Sequence, residues 1–265
     1  MGLSPLLARY DNVVLDLDGC VWVGAACTRE APQAVSQLRS AGKALAFVTN
    51  DSSHSPEDYV RKLWSLGLQA SLEEVVTVGA AIQHALAAKP QTGVYVIGSE
   101  AMFRHVSEAG HRILNGTGRE RDAQIVVVAW HEAFSYAELR NATQAVLSGA
   151  EIIAAGRDRT FPTEDGPWPG SGAVVAALEY ATGQTATVLG KPDPQIFMTA
   201  VDRLGDGRTL VVGDRLDSDL AGAHAAGLDA AIVLTGVTSS EEALEAADPA
   251  PVAVASDLHE LVVGG

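Results

Sequence analysis

The segment VVLDLDGCVW, residues 13–22, combines a short apolar run with two aspartates and a glycine. The run Val13–Leu17 has the length and composition of a strand that is buried on both faces. Asp16 and Asp18 are two residues apart, so in an extended chain their side chains point to the same side. Gly19 allows the chain to turn away directly after them. Such a pair binds a hard cation or divides the roles of nucleophile and general acid, unless it is only a surface pair beside a turn.

Similar apolar runs recur along the chain and alternate with helical patterns. The predicted strands include Ala44–Thr49, Val75–Val78, Val94–Ile97, Ile125–Trp130, Leu210–Gly213 and Ala230–Leu234. The predicted helices include Ala31–Ala41, a helix that starts at Ser55-Pro56-Glu57-Asp58, Tyr136–Leu147 and Asp219–Ala226. This alternation predicts an α/β fold with a mostly parallel sheet, in which ligands bind beyond the carboxyl ends of the strands.

Two further polar segments follow predicted strands. Thr49 and Asn50 come after Ala44–Val48. A hydroxyl and backbone amides at that place can hold phosphate oxygens, although the same residue types also form ordinary turns. Lys191 follows the apolar run Thr187–Leu189. Most lysines are solvated surface charges, but a phosphate site in an acidic protein needs a local cation of this kind.

The last segment is GDRLDSD, residues 213–219. It places Asp214 at the end of a predicted strand and Asp219 at the start of a predicted helix. These carboxylates either bind Mg²⁺ or cap the helix. Each of the four segments is weak evidence alone, but together they offer a nucleophile with an acid, a phosphate-binding hydroxyl, a lysine and a metal-binding acid pair.

Composition limits the classes of partner. The chain has 265 residues, of which 47% are hydrophobic, and its formal net charge is −15. This length suffices for one large domain or two modest ones. The negative charge, without a cluster of lysine and arginine, argues against nucleic acid and anionic membrane surfaces as partners. The longest apolar stretches span only a few residues, whereas a transmembrane helix needs about 20.

The N-terminal segment and the two cysteines bear on the cellular compartment. The first residues lack the basic start and the long apolar run of a secretion signal. Cys20 and Cys27 have no spacing that suggests a zinc site. We therefore predict a cytoplasmic protein with reduced thiols.

Five segments together resemble the class IIA phosphatases (NagD-like, p-nitrophenylphosphatase-type) of the haloacid dehalogenase (HAD) superfamily. They are DLDGCVW, FVTNDSS, LGKPDPQIF, VVGDRLDSDLAGAHAAGLDAAIVLTGV and FPTEDGPWPGSGAVVAALEYATG. The resemblance implies a Rossmann-like, parallel-sheet core with an inserted α/β cap domain. The core would comprise residues 1–78 and 187–265, and the cap residues 79–186.

The resemblance also implies roles for individual residues. Asp16 would be the nucleophile that becomes an aspartyl-phosphate, and Asp18 the acid that protonates the leaving oxygen and then activates water. Mg²⁺ would be bound by Asp16, by the backbone carbonyl of Asp18 and by Asp214, with Asp219 supporting its water shell.

The phosphoryl oxygens would be held by Thr49, Asn50 and Lys191. Because dehalogenases have no alkoxide to protonate, Asp18 argues against dehalogenation.

The expected substrate is a small phosphorylated metabolite such as glycerol 3-phosphate, phosphoglycolate or p-nitrophenyl phosphate. A nucleoside monophosphatase of the UMP type is the alternative within the same class. A receiver-like signalling module, phosphorylated on aspartate, is the alternative from another class. Such modules are shorter, and their paired acids and phosphorylated aspartate lie on different strands. A homodimer is a possible assembly, since members of this subfamily are often dimers.

Three positions depart from the subfamily pattern as the resemblance presents it. Cys20 stands where Thr or Val is common, and Asp51 and Gly156 stand where Asn is common. Asp158, near Gly156, either faces the active site or lies on the surface. The loop Phe161–Gly170 either borders the substrate entrance or packs within the cap.

Overall fold

Two parallel sheets organise the chain. The computed structural model describes residues 2–163 and 166–264. Its strands, in chain order, are β1 (Asn12–Asp16), β2 (Trp22–Val23), β3 (Ala26–Cys27), β4 (Ala44–Thr49), β5 (Val75–Thr77), β6 (Gly93–Ile97), β7 (Arg112–Ile113), β8 (Ile125–Val128), β9 (Glu151–Ala154), β10 (Thr160–Thr163), β11 (Gly166–Pro169), β12 (Thr187–Val188), β13 (Thr209–Gly213), β14 (Asp229–Val233) and β15 (Ala253–Ala255).

Helices connect most of these strands. The α-helices are α1 (Ala31–Ser40), α2 (Pro56–Ser65), α3 (Val78–Ala87), α4 (Glu100–Glu108), α5 (Tyr136–Leu147), α6 (Ser171–Thr182), α7 (Gln195–Leu204), α8 (Ala221–Ala225), α9 (Ser240–Glu245) and α10 (Leu258–Val263). A π-helical turn, Leu216–Leu220, runs directly into α8. Within the described ranges, no helix combines the length and the apolar character needed to span a membrane.

The six-stranded sheet has the order β15-β14-β13-β1-β4-β5, and all of its pairs are parallel. Every residue of β1 is buried. Val13 and Leu15 belong to one hydrophobic cluster, whereas Val14 belongs to another. Apolar side chains therefore cover both faces of the sheet, which explains the unbroken apolar runs in the sequence.

The second sheet, order β12-β9-β8-β6-β7, is also parallel and is formed by chain inserted between β5 and β13. One hydrophobic cluster includes Val14 of the first sheet and Val96 of the second, so the two sheets share buried side chains. The predicted α/β class, with a parallel-sheet core and an inserted α/β cap, is confirmed. Strand β12 carries the second sheet to Val188, two residues past the predicted cap boundary at 186. The division into domains stays a prediction.

The start of α2 shows how local sequence specifies an element. Ser55 accepts a hydrogen bond from the Asp58 N–H, and the Asp58 side chain accepts one from the Ser55 N–H. Pro56 occupies the first turn, where its missing N–H costs nothing. The predicted start of this helix is confirmed.

Several predicted bounds were wrong. Val78 begins α3 instead of ending a strand, because Thr77 caps that helix by accepting from the Ala80 N–H. Trp130 lies beyond the end of β8. The predicted loop Phe161–Gly170 contains the antiparallel hairpin β10–β11. Residues 164–165 of that segment lie outside the described residues.

Candidate active site

The predicted site residues converge at the carboxyl edge of the six-stranded sheet. Strands β13, β1 and β4 are neighbours, and their ends carry Asp214, Asp16 and Thr49. Parallel neighbouring strands place their carboxyl ends at one edge, which explains the convergence of residues so distant in sequence. One cavity of about 500 Å³ is lined by six of the seven predicted residues, namely Asp16, Asp18, Thr49, Asn50, Lys191 and Asp214. Asp219 lies directly behind them, where it contacts Lys191.

Lys191 is a buried cation held between two buried carboxylates. Its Nζ donates to Asp16 Oδ1 and, at 2.8 Å, to Asp219 Oδ1. Burial alone would lower the pKa of the Lys191 ammonium, but the charges of Asp16 and Asp219 raise it above its usual range. Lys191 is therefore a fixed positive charge beside the Asp16 carboxylate, as an anionic substrate requires.

Three carboxylates form a compact acidic cluster. One carboxylate oxygen from each of Asp16, Asp214 and Asp219 lies within 4.8 Å of the others. Burial raises the pKa of Asp16 well above its usual range, and the negative charges of Asp219 and Asp214 add to the rise. Burial and the charge of Asp219 raise the pKa of Asp214 to about 7. Such a cluster is electrostatically unfavourable unless protons or a cation compensate it.

The donor atoms of this cluster fit a hard divalent cation. Asp214 Oδ2 accepts from the Val237 N–H at 2.6 Å, whereas its buried Oδ1 has no hydrogen-bond partner among the described residues. Both oxygens of Asp219 are engaged, by Lys191 and by the Arg215 N–H at 3.2 Å. Carboxylate oxygens are the ligands that Mg²⁺ and Ca²⁺ prefer. The unpartnered Oδ1 makes Asp214 better suited than Asp219 for direct binding.

A glycine makes room for the Asp214 carboxylate. The backbone of Gly19 has a φ of +92°, and a Cβ there would lie 2.5 Å from Asp214 Cγ. Both observations favour glycine at this position.

Asp18 is held by an indole and a hydroxyl. Trp22 Nε1 donates to Asp18 Oδ1 at 2.8 Å, and Thr49 Oγ1 lies 3.4 Å from Asp18 Oδ2. Trp22 is fully buried, so it packs in the core. Burial raises the pKa of Asp18, and the negative charge of Asp51 adds to the rise. A carboxyl group that keeps its proton at a higher pH is suited to protonating a leaving group.

Asp51, one of the departures from the subfamily pattern, has its own partners. Its Oδ2 accepts from the Tyr59 hydroxyl at 2.6 Å, and its Oδ1 accepts from the Ser53 N–H at 2.8 Å. Burial would raise the pKa of Asp51, but hydrogen bonds from His54, Ser53 and Tyr59 lower it to about 2. Asp51 therefore stays negatively charged at the rim of the cavity.

Asn50 contacts the backbone of Lys191 on both sides of that residue. Its Oδ1 accepts from the Lys191 N–H at 2.7 Å, and its Nδ2 donates to the Lys191 carbonyl at 3.0 Å. The same Nδ2 donates to Asp158 Oδ2 at 2.8 Å. Because the side-chain amide is engaged in this way, the predicted phosphate contact of Asn50 stays a prediction for its backbone N–H.

The cap segment supplies an aromatic wall of the cavity, formed by Trp130, Phe161 and Trp168. The Phe161 ring is edge-on to both tryptophans, with centroid distances of 5.0 Å to Trp130 and 6.4 Å to Trp168. The hairpin β10–β11 thus borders the cavity, as one of the two interpretations of this segment predicted. These rings line the same cavity as Asp16, Asp18 and Asp214.

Sequence reasoning did not assign Arg215 or Ser218 to the site, and it left the position of Asp158 open. Arg215 lines the cavity, and its guanidinium donates to the Thr160 carbonyl at 2.9 Å. The Ser218 hydroxyl is buried without a hydrogen-bond partner among the described residues. Both lie inside the segment GDRLDSD, so its position after a strand was a signal for them too. Asp158, for which the sequence left two positions open, lines the cavity.

Comparisons with known proteins show which family this chain is similar to. A family model described as haloacid dehalogenase-like hydrolase matches residues 13–112, and a second HAD-hydrolase-like model matches residues 188–261. The D-glycerol 3-phosphate phosphatase of Mycobacterium tuberculosis is 40% identical over 264 residues, covering 98% of this chain and 73% of that protein. The 5'-nucleotidase YutF of Bacillus subtilis is 34% identical over 238 residues, covering 89% of this chain and 91% of that protein.

A solved structure has the same fold. The crystal structure of a glycerol phosphate phosphatase from Mycobacterium tuberculosis in complex with magnesium superposes with a TM-score of 0.87 at 38% identity. The match covers 98% of this chain and 78% of that chain.

Proposed function

We propose that this chain, which belongs to the haloacid dehalogenase-like hydrolases and is a phosphoric monoester hydrolase, uses the cluster around Asp16 to cleave small phosphate monoesters with Mg²⁺. One observation carries the assignment of the site. Asp16, Asp214 and Asp219 lie within reach of one cation, and Lys191 is buried against two of them. This arrangement combines a nucleophile with the positive charge that phosphoryl transfer requires.

The cation would be held by Asp16, by the backbone carbonyl of Asp18 and by Asp214, with Asp219 as support. The unpartnered Oδ1 of Asp214 favours this division. When bound, Mg²⁺ neutralises negative charge on the phosphoryl oxygens and on the attacking carboxylate. Lys191 supplies a second positive charge from the protein itself, and the Thr49 hydroxyl and the Asn50 N–H would donate to the same oxygens.

Asp16 and Asp18 would carry the two chemical steps. In the first, an Asp16 oxygen bonds to phosphorus while the bond to the leaving oxygen breaks, and Asp18 gives that oxygen its proton. In the second, Asp18 takes a proton from water, which attacks phosphorus and releases Asp16 and inorganic phosphate. The raised pKa of Asp18 supports its role as the proton donor.

Glycerol 3-phosphate is the proposed substrate. The glycerol phosphate phosphatase of Mycobacterium tuberculosis, similar over nearly the whole chain, supports it. A second candidate is a nucleoside monophosphate of the UMP type, which the aromatic wall of Trp130, Phe161 and Trp168 favours because flat rings pack well on aromatic side chains. The 5'-nucleotidase named above supports this candidate.

A panel of phosphate esters decides between these substrates. Release of inorganic phosphate would be measured with Mg²⁺ and with EDTA for glycerol 3-phosphate, phosphoglycolate, UMP and p-nitrophenyl phosphate. We expect hydrolysis only with Mg²⁺, with the highest kcat/KM on glycerol 3-phosphate. Full activity of the Asp16→Asn variant would refute the assignment of the nucleophile.

The remaining proposals concern partners and compartment. Small phosphorylated metabolites, and not nucleic acid or membranes, are the proposed partners, because the net charge of −15 repels polyanions. A cytoplasmic location stays a prediction, which cell fractionation tests. A homodimer also stays a prediction, which size-exclusion chromatography tests.

A further inference from the structure

Asp158 belongs to the inserted segment but is held by residues of the core. It follows β9 and lines the cavity. Its Oδ2 accepts from Asn50 Nδ2 at 2.8 Å, and its Oδ1 lies 3.7 Å from Arg215 Nε. Asn50 follows β4 and Arg215 follows β13, so both partners lie at the carboxyl edge of the six-stranded sheet. Asp158 therefore ties the two sheets together inside the active-site cavity.

Asn50 contacts both Asp158 and Lys191, the proposed phosphate-binding lysine. A side-chain amide has two N–H donors and one oxygen acceptor. Here Asn50 Nδ2 donates one N–H to Asp158 and the other to the Lys191 carbonyl, and Oδ1 accepts from the Lys191 N–H. The amide is fully used, and its orientation is fixed by these contacts. Loss of Asp158 would remove one of the three contacts that orient the Asn50 amide, two of which are with Lys191.

Two glycines leave room for this arrangement. A Cβ on Gly156 would lie 2.9 Å from Asp158 Oδ2 and 3.0 Å from Asn50 Nδ2. A Cβ on Gly190 would lie 2.5 Å from Asn50 Oδ1. A side chain at either position would therefore crowd the amide that links Asp158 to Lys191. The glycine at 156, a departure from the subfamily pattern, avoids this crowding.

We propose that Asp158 is a positioning residue that couples the placement of the cap over the cavity to the placement of Lys191, through the side-chain amide of Asn50. Arg215 steadies the same carboxylate and, through its bond to the Thr160 carbonyl, the adjoining hairpin. The consequence is that the lysine is correctly placed only while the cap lies over the substrate. This inference rests on the proposed function, since it concerns the same site.

Positioning of this kind affects the transition state more than substrate affinity, because small displacements of a catalytic group are costly in rate. With p-nitrophenyl phosphate and Mg²⁺, we expect Asp158→Ala to lower kcat by about 10- to 100-fold, the worth of a hydrogen bond to a charged group, while KM changes by less than about 3-fold. Asp158→Asn keeps an oxygen that can accept from Asn50. It should restore kcat to within about 3-fold of the wild type.

Asp217→Asn is the matched control. Asp217 is an exposed carboxylate whose Oδ1 lies 3.2 Å from the same Arg215 Nε, but it has no contact with Asn50. We expect its kinetics to equal those of the wild type. An equal loss in the Asp217 and Asp158 variants would overturn the proposal, because the effect would then act through Arg215 alone. A kcat of Asp158→Ala within about 3-fold of the wild type would also overturn it.

A second variant and a second readout protect the test against simple misfolding. Gly156→Ala crowds the same contact without removing a charge, and it should lower kcat in the same direction as Asp158→Ala. In a Trp64→Phe background, acrylamide quenching reports mainly on Trp130 and Trp168 in the cavity wall, because Trp22 is fully buried. Asp158→Ala should increase quenching, and Asp217→Asn should not. Unchanged quenching in Asp158→Ala would refute the tie between cap and core, even if the enzyme hydrolysed none of the substrates tested.

Discussion

The protein without metal should become less stable as the pH rises from 5 to 8, and the substitution Asp214→Asn should remove much of that loss. The reason is the buried acidic cluster of Asp16, Asp214 and Asp219, two of whose carboxylates contact the Lys191 ammonium. Burial and the charge of Asp219 raise the pKa of Asp214 from 3.8 to about 7. Without a metal ion, the folded state therefore holds this proton more tightly than the unfolded state.

The sign and size of the effect follow from linkage. Stability from a raised pKa is fully present below the unfolded value, near 4, and is lost as the pH rises through the folded value of about 7. Between pH 5 and pH 7 this amounts to about 3 kcal/mol, at about 1.4 kcal/mol per pH unit. For a chain of this length, about 3 kcal/mol corresponds to a shift in Tm of roughly 6–12 °C.

Asn at position 214 keeps an oxygen that can accept from the Val237 N–H but carries no charge to be compensated. In EDTA at pH 8, we expect the variant to be more stable than the wild type, and the difference should shrink at pH 5. Added Mg²⁺ reverses the order, because a cation stabilises the ionised cluster of the wild type and finds one ligand fewer in the variant.

The assay is thermal unfolding followed by circular dichroism, for both proteins, at four pH values between 5 and 8, in EDTA and in Mg²⁺. Comparison with the variant cancels the titration of surface carboxylates, which both proteins share. Equal Tm values of the two proteins in EDTA at pH 8 would refute the reasoning. So would an equal gain from Mg²⁺ in both.

Three further predictions concern single side chains. Asp18→Asn should lower kcat by about 10²- to 10⁴-fold on glycerol 3-phosphate but less on p-nitrophenyl phosphate, whose leaving group needs less protonation; an equal loss on both substrates would contradict the acid role. Trp130→Ala should lower kcat/KM by about 3- to 10-fold on UMP and p-nitrophenyl phosphate, the worth of an aromatic pair, and leave glycerol 3-phosphate nearly unchanged; steady-state kinetics on the three esters check this. Gly19→Ala should weaken Mg²⁺ binding, since its Cβ would lie 2.5 Å from Asp214 Cγ; calorimetric titration measures the change, and an unaltered affinity would show that the carboxylate can move aside.

Much of the fold was predictable because its signals are local. Strand β1 is an apolar run, and helix α2 begins at a Ser-Pro-Glu-Asp segment. The sequence predicted the position of both to within a few residues. The predicted bounds of a strand were wrong where a neighbouring element includes the same residues. Val78 has a strand-like side chain, but the Thr77 cap starts a helix there. The hairpin in Phe161–Gly170 was missed because its three prolines are typical of loops.

The sequence by itself determined the chemistry at the ends of the strands. Asp16 and Asp18 flank a strand end, and Asp214 and Asp219 a strand-to-helix turn, so their placement depends on a few consecutive residues. Only the tertiary structure decided which distant side chains meet them. Asn50 contacts Lys191 across 141 residues and Asp158 across 108, and the aromatic wall comes from separate parts of the inserted segment. The physical reason is that such contacts depend on the order of strands within each sheet and on how the second sheet packs over the first. No local pattern of residues encodes that packing.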